Sequence, residues 1–165
     1  MIKAIFAVDI NGGMGKNGTL PWPKDQEDLN WFKKHTSGHV VVMGSRTWLD
    51  PMMPKPLPNR FNVVMSDQDI SLFRGSNYII PTHNIESSLA LLQKNHTDKD
   101  IWVIGGARTL IATKNLIQQI VLTEFSTDYD CDIRIDVSSY LERFEKTSEI
   151  RSDNKTFRIY HAKLS

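Results

Sequence analysis

Short apolar runs alternate along this chain with segments whose apolar residues recur at helical spacing. The first run covers residues 2–8 and is interrupted only by Lys3; later runs, rich in β-branched residues, cover 39–43, 61–65, 78–80, 101–104 and 120–125. Continuous runs of this kind are typical of strands that are buried on both faces of a parallel sheet. Residues 144–150 and 156–162 flank Ser-Asp-Asn-Lys, which indicates an antiparallel hairpin near the C-terminus.

Helical segments lie between the apolar runs. A helix is predicted to begin after Asp25, because acids occupy its first turn and Lys33, Lys34 and His35 lie near its end, which suits the helix dipole. Further helices are predicted at 45–49, 85–94 and 108–116. This alternation predicts an α/β fold, with a mainly parallel central sheet and helices on both faces, in a single domain over residues 1–165. The polar, acidic segment 126–138 is predicted to be a surface loop.

A glycine-rich segment follows the first apolar run. Gly13, Gly15 and Gly18 spell the dinucleotide fingerprint G-x-G-x-x-G, which requires a helix to begin at the third glycine. Pro21 and Pro23 follow instead, and they exclude a helix before about residue 24. The glycines are therefore predicted to belong to a long, pliable loop, which in a compact domain is usually a lid or a binding loop.

Composition and charge narrow the possible functions. The formal net charge of +1 provides no strong field that would recruit nucleic acid or an anionic membrane surface. Cys131 is the single cysteine, so no internal disulfide can form, and a cytoplasmic location is expected. The histidines have no metal-ligand spacing, and the first apolar run is too short to span a membrane. We therefore expect small-molecule ligands, with no metal, nucleic acid or membrane as a partner.

Open sheets of this class bind ligands beyond the carboxyl ends of their strands. That rule places residues 9–22, 44–47, Ser66 and the pair Gly105-Gly106 along one edge. The glycine pair could let the chain approach a diphosphate closely, or it could simply form a tight strand-to-helix turn. Residues 44–47 form a second such junction, in which Ser45, Arg46 and Thr47 could bind phosphate oxygens. Two junctions on one edge suit a dinucleotide better than a mononucleotide.

Three polar residues have both a structural and a functional interpretation. Asp28 could serve the helix dipole, as in a capping box with Asp25, or it could face inward as a partly desolvated acid that grips a heterocycle. Arg60 follows a proline-rich segment and could be solvated, or it could bind a ligand carboxylate. Thr123 lies within a predicted strand, where threonine is common for packing reasons.

Several segments together resemble the dihydrofolate reductase family. They include Gly-Thr-Leu-Pro-Trp-Pro at 18–23, Asp-Leu-Asn-Trp-Phe at 28–32, Met-Gly-Ser-Arg-Thr-Trp at 43–48, Pro-Leu-Pro-Asn-Arg at 56–60, Ile-Gly-Gly at 104–106 and Leu-Thr at 122–123. The resemblance implies NADPH-dependent reduction of dihydrofolate to tetrahydrofolate, in support of one-carbon and thymidylate metabolism. It also implies a monomeric enzyme that binds antifolate inhibitors.

The resemblance assigns roles to residues by position. It implies that Asp28, Leu20, Trp22 and Thr123 are catalytic, and that the substrate contacts Ile5, Asp28, Leu29, Phe32, Leu57, Arg60, Ile104 and Thr123. It implies that the cofactor is held by Ala7, Gly13, Met14, Gly15, Leu20, Gly44, Ser45, Arg46, Thr47, Ser66, Gly105, Gly106, Ala107, Arg108 and Thr109. Asp132 matches an acid that steadies the closed lid.

The chain departs from the family pattern where the cofactor's 2′-phosphate is expected. Family members usually carry a basic residue at the position of Ser45, and often a polar or basic one at Asp67. Arg46, His83 and Arg108 are candidate substitutes, and use of NADH beside NADPH stays open. Leu110 stands where the family usually has a tyrosine. Two alternatives remain: a related reductase of a riboflavin-pathway pyrimidine, and a non-catalytic nucleotide-binding protein.

Overall fold

An eight-stranded sheet forms the centre of the computed structural model, which describes residues 1–164. The strands of the chain are β1 (Ile2–Val8), β2 (Gly13–Gly15), β3 (Val40–Gly44), β4 (Phe61–Met65), β5 (Tyr78–Ile80), β6 (Ile101–Gly105), β7 (Gln119–Phe125), β8 (Ile133–Arg134), β9 (Phe144–Arg151) and β10 (Lys155–Ala162). The order in the large sheet is β5-β4-β3-β6-β1-β7-β10-β9. Strands β2 and β8 pair with each other in a separate ribbon.

The large sheet is mainly parallel. Strands β5, β4, β3, β6, β1 and β7 pair in parallel, with Val42 opposite Val103 and Ile5 opposite Val121. Strand β10 pairs antiparallel with β7 and with β9, which confirms the predicted C-terminal hairpin. Because the parallel strands point the same way, the ends of β1, β3, β4 and β6 lie along one edge, as the sequence predicted.

Helices cover both faces of the sheet. They are α1 (Gln26–Thr36), α2 (Ser45–Leu49), α3 (Ile85–Asn95), α4 (Ala107–Thr113) and α5 (Val137–Tyr140), with 3-10 turns at Ile70–Phe73, Thr82–Asn84 and Lys114–Leu116. The helix predicted at 108–116 is α4 followed by a 3-10 turn. At that change the Thr113 hydroxyl bonds the carbonyls of Thr109 and Leu110, a contact that bends helices. None of the helices in residues 1–164 has the length and apolar character needed to cross a membrane.

Two apolar clusters form the core, one on each face. Successive side chains of β1 point to opposite faces, so Ile5 joins one cluster while Ala4 and Phe6 join the other. Helix α1 covers the Ile5 face, and α3 and α4 cover the opposite face. This two-sided burial explains why the strands are nearly continuous in apolar residues.

The prediction that 126–138 is only a surface loop is wrong. This segment contains β8 and the start of α5, and it buries Cys131 and Ile135. Gly13 pairs with Arg134 and Gly15 with Ile133. The segment therefore packs against the glycine-rich segment that contains Gly13, Gly15 and Gly18, which we call the glycine loop. A local pattern of polar residues could not show this pairing, because it joins residues more than a hundred positions apart.

Asn62 holds the proline-rich segment 54–60 in place. It is fully buried, its side-chain oxygen accepts a hydrogen bond from the Leu57 amide at 2.9 Å, and its nitrogen donates to the carbonyls of Leu57 and Arg60 at 3.0 and 2.9 Å. An asparagine within an apolar strand thereby supplies the hydrogen bonds that this buried part of the loop requires.

Replacing Asn62 with leucine is expected to lower the free energy of unfolding by about 2–4 kcal/mol, because buried backbone groups would lose their partners. Urea denaturation followed by circular dichroism measures the change. Asn95→Leu, at the exposed end of α3, is the control and should change stability by less than about 0.5 kcal/mol. Equal losses for the two variants would contradict the role given to Asn62.

Candidate active site

Most of the predicted cofactor residues lie along the carboxyl edge of the parallel strands. Ala7 is near the end of β1, Gly44 ends β3, and Gly105 ends β6. Ser45, Arg46 and Thr47 form the first turns of α2 directly beyond β3, and Ser66 follows β4. Ala107, Arg108 and Thr109 begin α4 beyond β6. The structure therefore brings together the two strand-to-helix junctions that the sequence predicted.

The two junctions are in close contact. A Cβ atom added at Gly44 would lie 2.5 Å from the Thr109 hydroxyl oxygen, so only glycine allows α4 to approach β3 this closely. The Gly105-Gly106 peptide bond is cis, and Gly105 has a φ of +127°. The hydroxyl of Thr47 lies 3.9 Å from the position that a Cβ of Gly106 would occupy. The first turn of α4 follows this bend, and helix N-termini of this kind suit phosphate oxygens.

The glycine loop is held at both ends and exposed in its middle. The Asn17 amide donates to the Asp132 carboxylate at 3.0 Å, and the Asp132 amide donates to the Gly15 carbonyl at 3.0 Å. Leu20 is 55% exposed, whereas Trp22 is buried and stacks on Phe125 with 4.6 Å between ring centroids. No helix begins until Gln26, which confirms that Gly13, Gly15 and Gly18 do not form a Rossmann turn.

Asp9 anchors the base of this loop, a role that sequence reasoning missed. Its fully buried carboxylate accepts hydrogen bonds from the amides of Asn11, Gly13 and Tyr129 at 2.9, 2.8 and 3.0 Å, and from the Cys131 thiol at 3.4 Å. Burial opposes ionisation, but these hydrogen bonds outweigh it and lower the pKa of Asp9. The available signal was an acid that directly ends an apolar strand.

A neighbouring contact explains Gly13 itself. A Cβ atom at Gly13 would lie 2.3 Å from the Cys131 sulfur and 2.8 Å from an Asp9 carboxylate oxygen. Burial and the nearby Asp9 carboxylate raise the pKa of Cys131 to about 11. The thiol therefore stays protonated and serves as a small buried donor that fills the space left by the glycine.

Asp28 faces inward from the first turn of α1. Its amide donates to the Asp25 carboxylate at 2.9 Å, so Asp25 is the helix cap and the Asp28 carboxyl is left free for other contacts. Burial raises the pKa of Asp28, and a hydrogen bond from the Thr123 side chain on β7 opposes this only partly. Thr123 is itself buried. The sequence alternative in which Asp28 serves only the helix dipole does not account for this geometry.

The other predicted substrate residues, apart from Arg60, lie on α1, on the proline-rich segment and on two strands of the sheet. Phe32 follows it by one helical turn, Leu29 is 40% exposed beside it, and Leu57 is buried in the loop that Asn62 holds. Ile5 and Ile104 lie on β1 and β6, which are neighbours in the sheet.

Arg60 is not a freely solvated side chain. Its guanidinium lies 5.8 Å from the Phe32 ring centroid and donates to the Thr36 hydroxyl at 3.0 Å and to the Pro58 carbonyl at 2.9 Å. These contacts hold the guanidinium beside α1, at the end of the proline-rich segment.

A further cleft lies beyond the ends of β4 and β5. It has a volume of about 480 Å³ and is lined by Ser66, Asp67, Gln68, Ile70, Ile79, Pro81 and His83. The Asp67 carboxylate accepts hydrogen bonds from the hydroxyl and the amide of Thr82, and these bonds lower the pKa of Asp67. The His83 ring nitrogen lies 3.9 Å from the same carboxylate. The cleft thus combines apolar walls with an anionic group.

Comparison with known proteins gives consistent matches. A family model described as dihydrofolate reductase matches residues 1–164. The type 8 dihydrofolate reductase of Escherichia coli is 32% identical over 164 residues, which cover 98% of this chain and 96% of the relative. The dihydrofolate reductase of Mycobacterium leprae is 34% identical over 128 residues, which cover 77% and 73% of the two chains.

A solved structure confirms the fold. It is the dihydrofolate reductase from Enterococcus faecalis complexed with NADP(H) and RAB-propyl, with a TM-score of 0.81, 24% sequence identity, and coverage of 98% of this chain and 96% of the other. These matches favour a folate reductase over a riboflavin-pathway reductase or a non-catalytic nucleotide-binding protein. The chain therefore belongs to the dihydrofolate reductase family, and it is an oxidoreductase that reduces dihydrofolate with NADPH.

Proposed function

We propose that this protein reduces dihydrofolate to tetrahydrofolate with Asp28 as the acid of its active site. The observation that carries this assignment is the geometry of Asp28: a partly buried carboxyl, in contact with Thr123, in a position that the helix cap does not require. A carboxyl in this setting can bind the amino-amide edge of a pterin with two parallel hydrogen bonds. It is also the kind of acid that can assist protonation of a ring nitrogen near neutral pH.

The reaction requires a hydride and a proton to reach adjacent atoms of one ring bond. NADPH supplies the hydride, and the proton reaches the ring nitrogen through water admitted beside Leu20 and Trp22. Thr123 keeps the Asp28 carboxyl oriented, because it is buried and its hydroxyl bonds that carboxyl. The loop around the exposed Leu20 excludes bulk water when it closes over the reacting rings.

The other substrate contacts are assigned by position within the family. The backbone carbonyls of Ile5 and Ile104 face the far edge of the pterin, and the side chains of Phe32 and Leu57 pack on either side of the ligand, with Leu29 beside them. Arg60 binds the glutamate carboxylate of the substrate, because its guanidinium is already held in place by Thr36 and the Pro58 carbonyl.

The edge of the sheet provides the cofactor site. The backbone at Gly105 and Gly106 and the first turn of α4 lie where a diphosphate can approach closely, and Thr47 lies beside that bend. We assign twelve further residues to this cofactor site: Ala7, Gly13, Met14, Gly15, Leu20, Gly44, Ser45, Arg46, Ser66, Ala107, Arg108 and Thr109. Leu110, which replaces the usual tyrosine, is fully buried in the core on the α4 face.

Discrimination between NADPH and NADH is proposed to be weak in this chain. Asp67 is exposed and therefore ionised at neutral pH, hydrogen bonds from Thr82 lower its pKa further, and an anionic group repels a 2′-phosphate. A carboxylate is instead suited to the 2′-hydroxyl of an unphosphorylated ribose. Arg46, on the exposed side of α2, is the residue that we assign to the 2′-phosphate.

We further infer the cellular setting of the enzyme. It is a single-domain monomer of the cytoplasm that serves one-carbon and thymidylate metabolism, and it binds antifolates in the Asp28 site. Support for the single domain comes from the central sheet, which contains strands from both ends of the described chain. The isolated thiol of Cys131 is consistent with a reducing compartment.

Replacing Asp28 with asparagine tests the proposed reaction. The amide keeps the size of the side chain but cannot act as the acid, so turnover is expected to fall on the order of a hundredfold or more. Loss of NADPH absorbance on addition of dihydrofolate measures turnover, and thermal unfolding shows whether the variant is folded. Full activity of the folded variant at neutral pH would remove Asp28 from the mechanism.

Replacing Arg60 with alanine tests the glutamate contact. Affinity for dihydrofolate is expected to fall about a hundredfold, because a charge-assisted pair is lost. Affinity for a pterin that lacks the glutamate should fall less than about threefold, since it makes no such pair. Fluorescence titration measures both, and Lys55→Ala in the same exposed loop is the control. Equal losses for both ligands would contradict this assignment.

Replacing Asp67 with serine tests cofactor discrimination. Removing the anion is expected to increase the preference for 2′-phosphorylated AMP over AMP, measured by calorimetry, on the order of tenfold. The preference for NADPH over NADH should rise in parallel. Asp69→Ser removes the same charge from a neighbouring residue that does not line the cleft, so it should leave the preference unchanged. Identical effects of the two substitutions would place the 2′-phosphate elsewhere.

A further inference from the structure

Lys155 is a buried lysine that the mechanism above does not use. It begins β10 and is only 5% exposed, with its ammonium 2.8 Å from a Glu27 carboxylate oxygen and 3.1 Å from one of Asp25. The rings of Phe125 and Phe157 lie 5.9 and 6.0 Å from the ammonium. Burial alone would lower the pKa of Lys155, but the two carboxylates outweigh it and raise that pKa, so the side chain carries its charge.

The turn between β9 and β10 adds two more contacts to the same place. The Ser152 hydroxyl donates to Glu27 at 2.7 Å, and the Asn154 side-chain amide donates to Asp25 at 3.4 Å. Lys155 therefore bonds both of the acids that precede Asp28 in the chain, while Ser152 bonds Glu27 and Asn154 bonds Asp25. We call these three residues and their two acids the hairpin clamp. It holds the start of α1 from a hairpin that lies more than a hundred residues later in the sequence.

The hairpin clamp reaches Asp28 through the backbone. Asp25 accepts a hydrogen bond from Lys155 and Asn154 on one carboxylate oxygen, and from the Asp28 amide on the other. A continuous series of polar contacts therefore runs from the Lys155 ammonium to the Asp28 main chain. Thr123, from β7, forms a hydrogen bond with the side-chain carboxyl of Asp28. Asp28 is held on both sides.

The same residues also act on Asp28 through their charges. The charged groups that act on Asp28 are Asp25 and Glu27 from its own helix and Lys155 from the hairpin. Burial is the largest influence and raises the pKa of Asp28; Asp25 and Glu27 raise it further, and Lys155 lowers it. Without Lys155, two carboxylates would stand next to Asp28 with no counter-charge.

We propose that Lys155 is a positioning residue for Asp28, one that fixes the first turn of α1 and supplies the positive charge that offsets Asp25 and Glu27. This inference rests on the proposed role of Asp28 as the acid. In that role Asp28 loses its proton as the pH rises. Fewer substrate ring nitrogens are then protonated, and hydride transfer slows down. The pH at which the rate falls therefore depends on the hairpin clamp.

The test compares the pH profile of hydride transfer in five forms of the full-length enzyme with NADPH and dihydrofolate. Lys155→Met removes the charge and keeps the length of the side chain, and Lys155→Arg keeps the charge. Glu27→Gln removes one acid of the hairpin clamp at an exposed site. Lys146→Met is the control, since it removes one positive charge from the same hairpin at a position that bonds Glu149 instead. The wild type completes the set, and each rate is expressed as a fraction of its own low-pH plateau.

Lys155→Met is expected to move the fall in rate to higher pH. At pH 9 the fraction of the plateau rate that it keeps should exceed that of the wild type on the order of threefold. Glu27→Gln should move the fall to lower pH, and Lys155→Arg and Lys146→Met should match the wild type. The opposite shifts separate an electrostatic effect from simple loss of structure. If Lys155→Met does not fold, the Glu27→Gln shift alone decides. Shifts of the same sign in Lys155→Met and Glu27→Gln would overturn the proposal, and so would unchanged profiles in an enzyme whose Asp28 titration is also unchanged.

A second measurement does not depend on turnover. Carbon-13 NMR of the aspartate carboxyls, with the Asp28 signal assigned by its absence in Asp28→Asn, follows the titration of Asp28 directly. The midpoint should rise in Lys155→Met and fall in Glu27→Gln. If these midpoints move but hydride transfer has no matching pH dependence, Lys155 acts on Asp28 and the proposed role of Asp28 is wrong. If the midpoints do not move, the inference about Lys155 is wrong whatever the enzyme does.

Discussion

A carboxyl group that is shielded from water keeps its proton to higher pH than one on the surface, and the proposed role of Asp28 depends on this effect. Burial against β7 raises the pKa of Asp28, while Thr123 orients the carboxyl without cancelling that shift. The helix does not need this side chain, because Asp25 already caps α1. Asp25 caps the helix, so the Asp28 carboxyl is available for its proposed contact with the pterin. The proposed role of Asp28 in dihydrofolate reduction rests on that arrangement.

Loop closure depends on a separate set of buried contacts. Asp9 binds three backbone amides and a thiol at the base of the glycine loop, and so joins that loop to the segment that contains Cys131. Asp132 adds a second connection further along, and Trp22 ends the loop by stacking on Phe125. The exposed Leu20 lies between fixed points. A loop built in this way can move over the site without losing its position on the sheet.

The parallel sheet brings the residues proposed for the cofactor together from four separate segments. Strands that point the same way end at the same edge, and the glycine that ends β3 allows α4 to approach closely there. The same edge carries the main departure from the family pattern. Asp67 is an anion at a place where the family pattern places a phosphate, and hydrogen bonds from Thr82 lower its pKa further. The residues proposed for the reaction, such as Asp28, and the residue proposed for cofactor preference, Asp67, therefore lie on different parts of the fold.

Local patterns in the sequence determined the eight strands of the large sheet, its parallel arrangement with the terminal hairpin, the start of α1 at Asp25 and the absence of a Rossmann turn. These features follow from the period of apolar residues, from capping and from proline, all of which act over a few positions. The motifs also identified Asp28, Arg60 and the glycine pair as candidates. Only the tertiary structure showed that Asp28 turns toward Thr123, that Asn62 holds Leu57, that Asp9 and the segment after Ser126 anchor the glycine loop, and that Lys155 lies against Asp25 and Glu27. Each of these contacts joins residues that are distant in the chain or lie on different elements, and the burial and charge that they create arise only when those elements pack together.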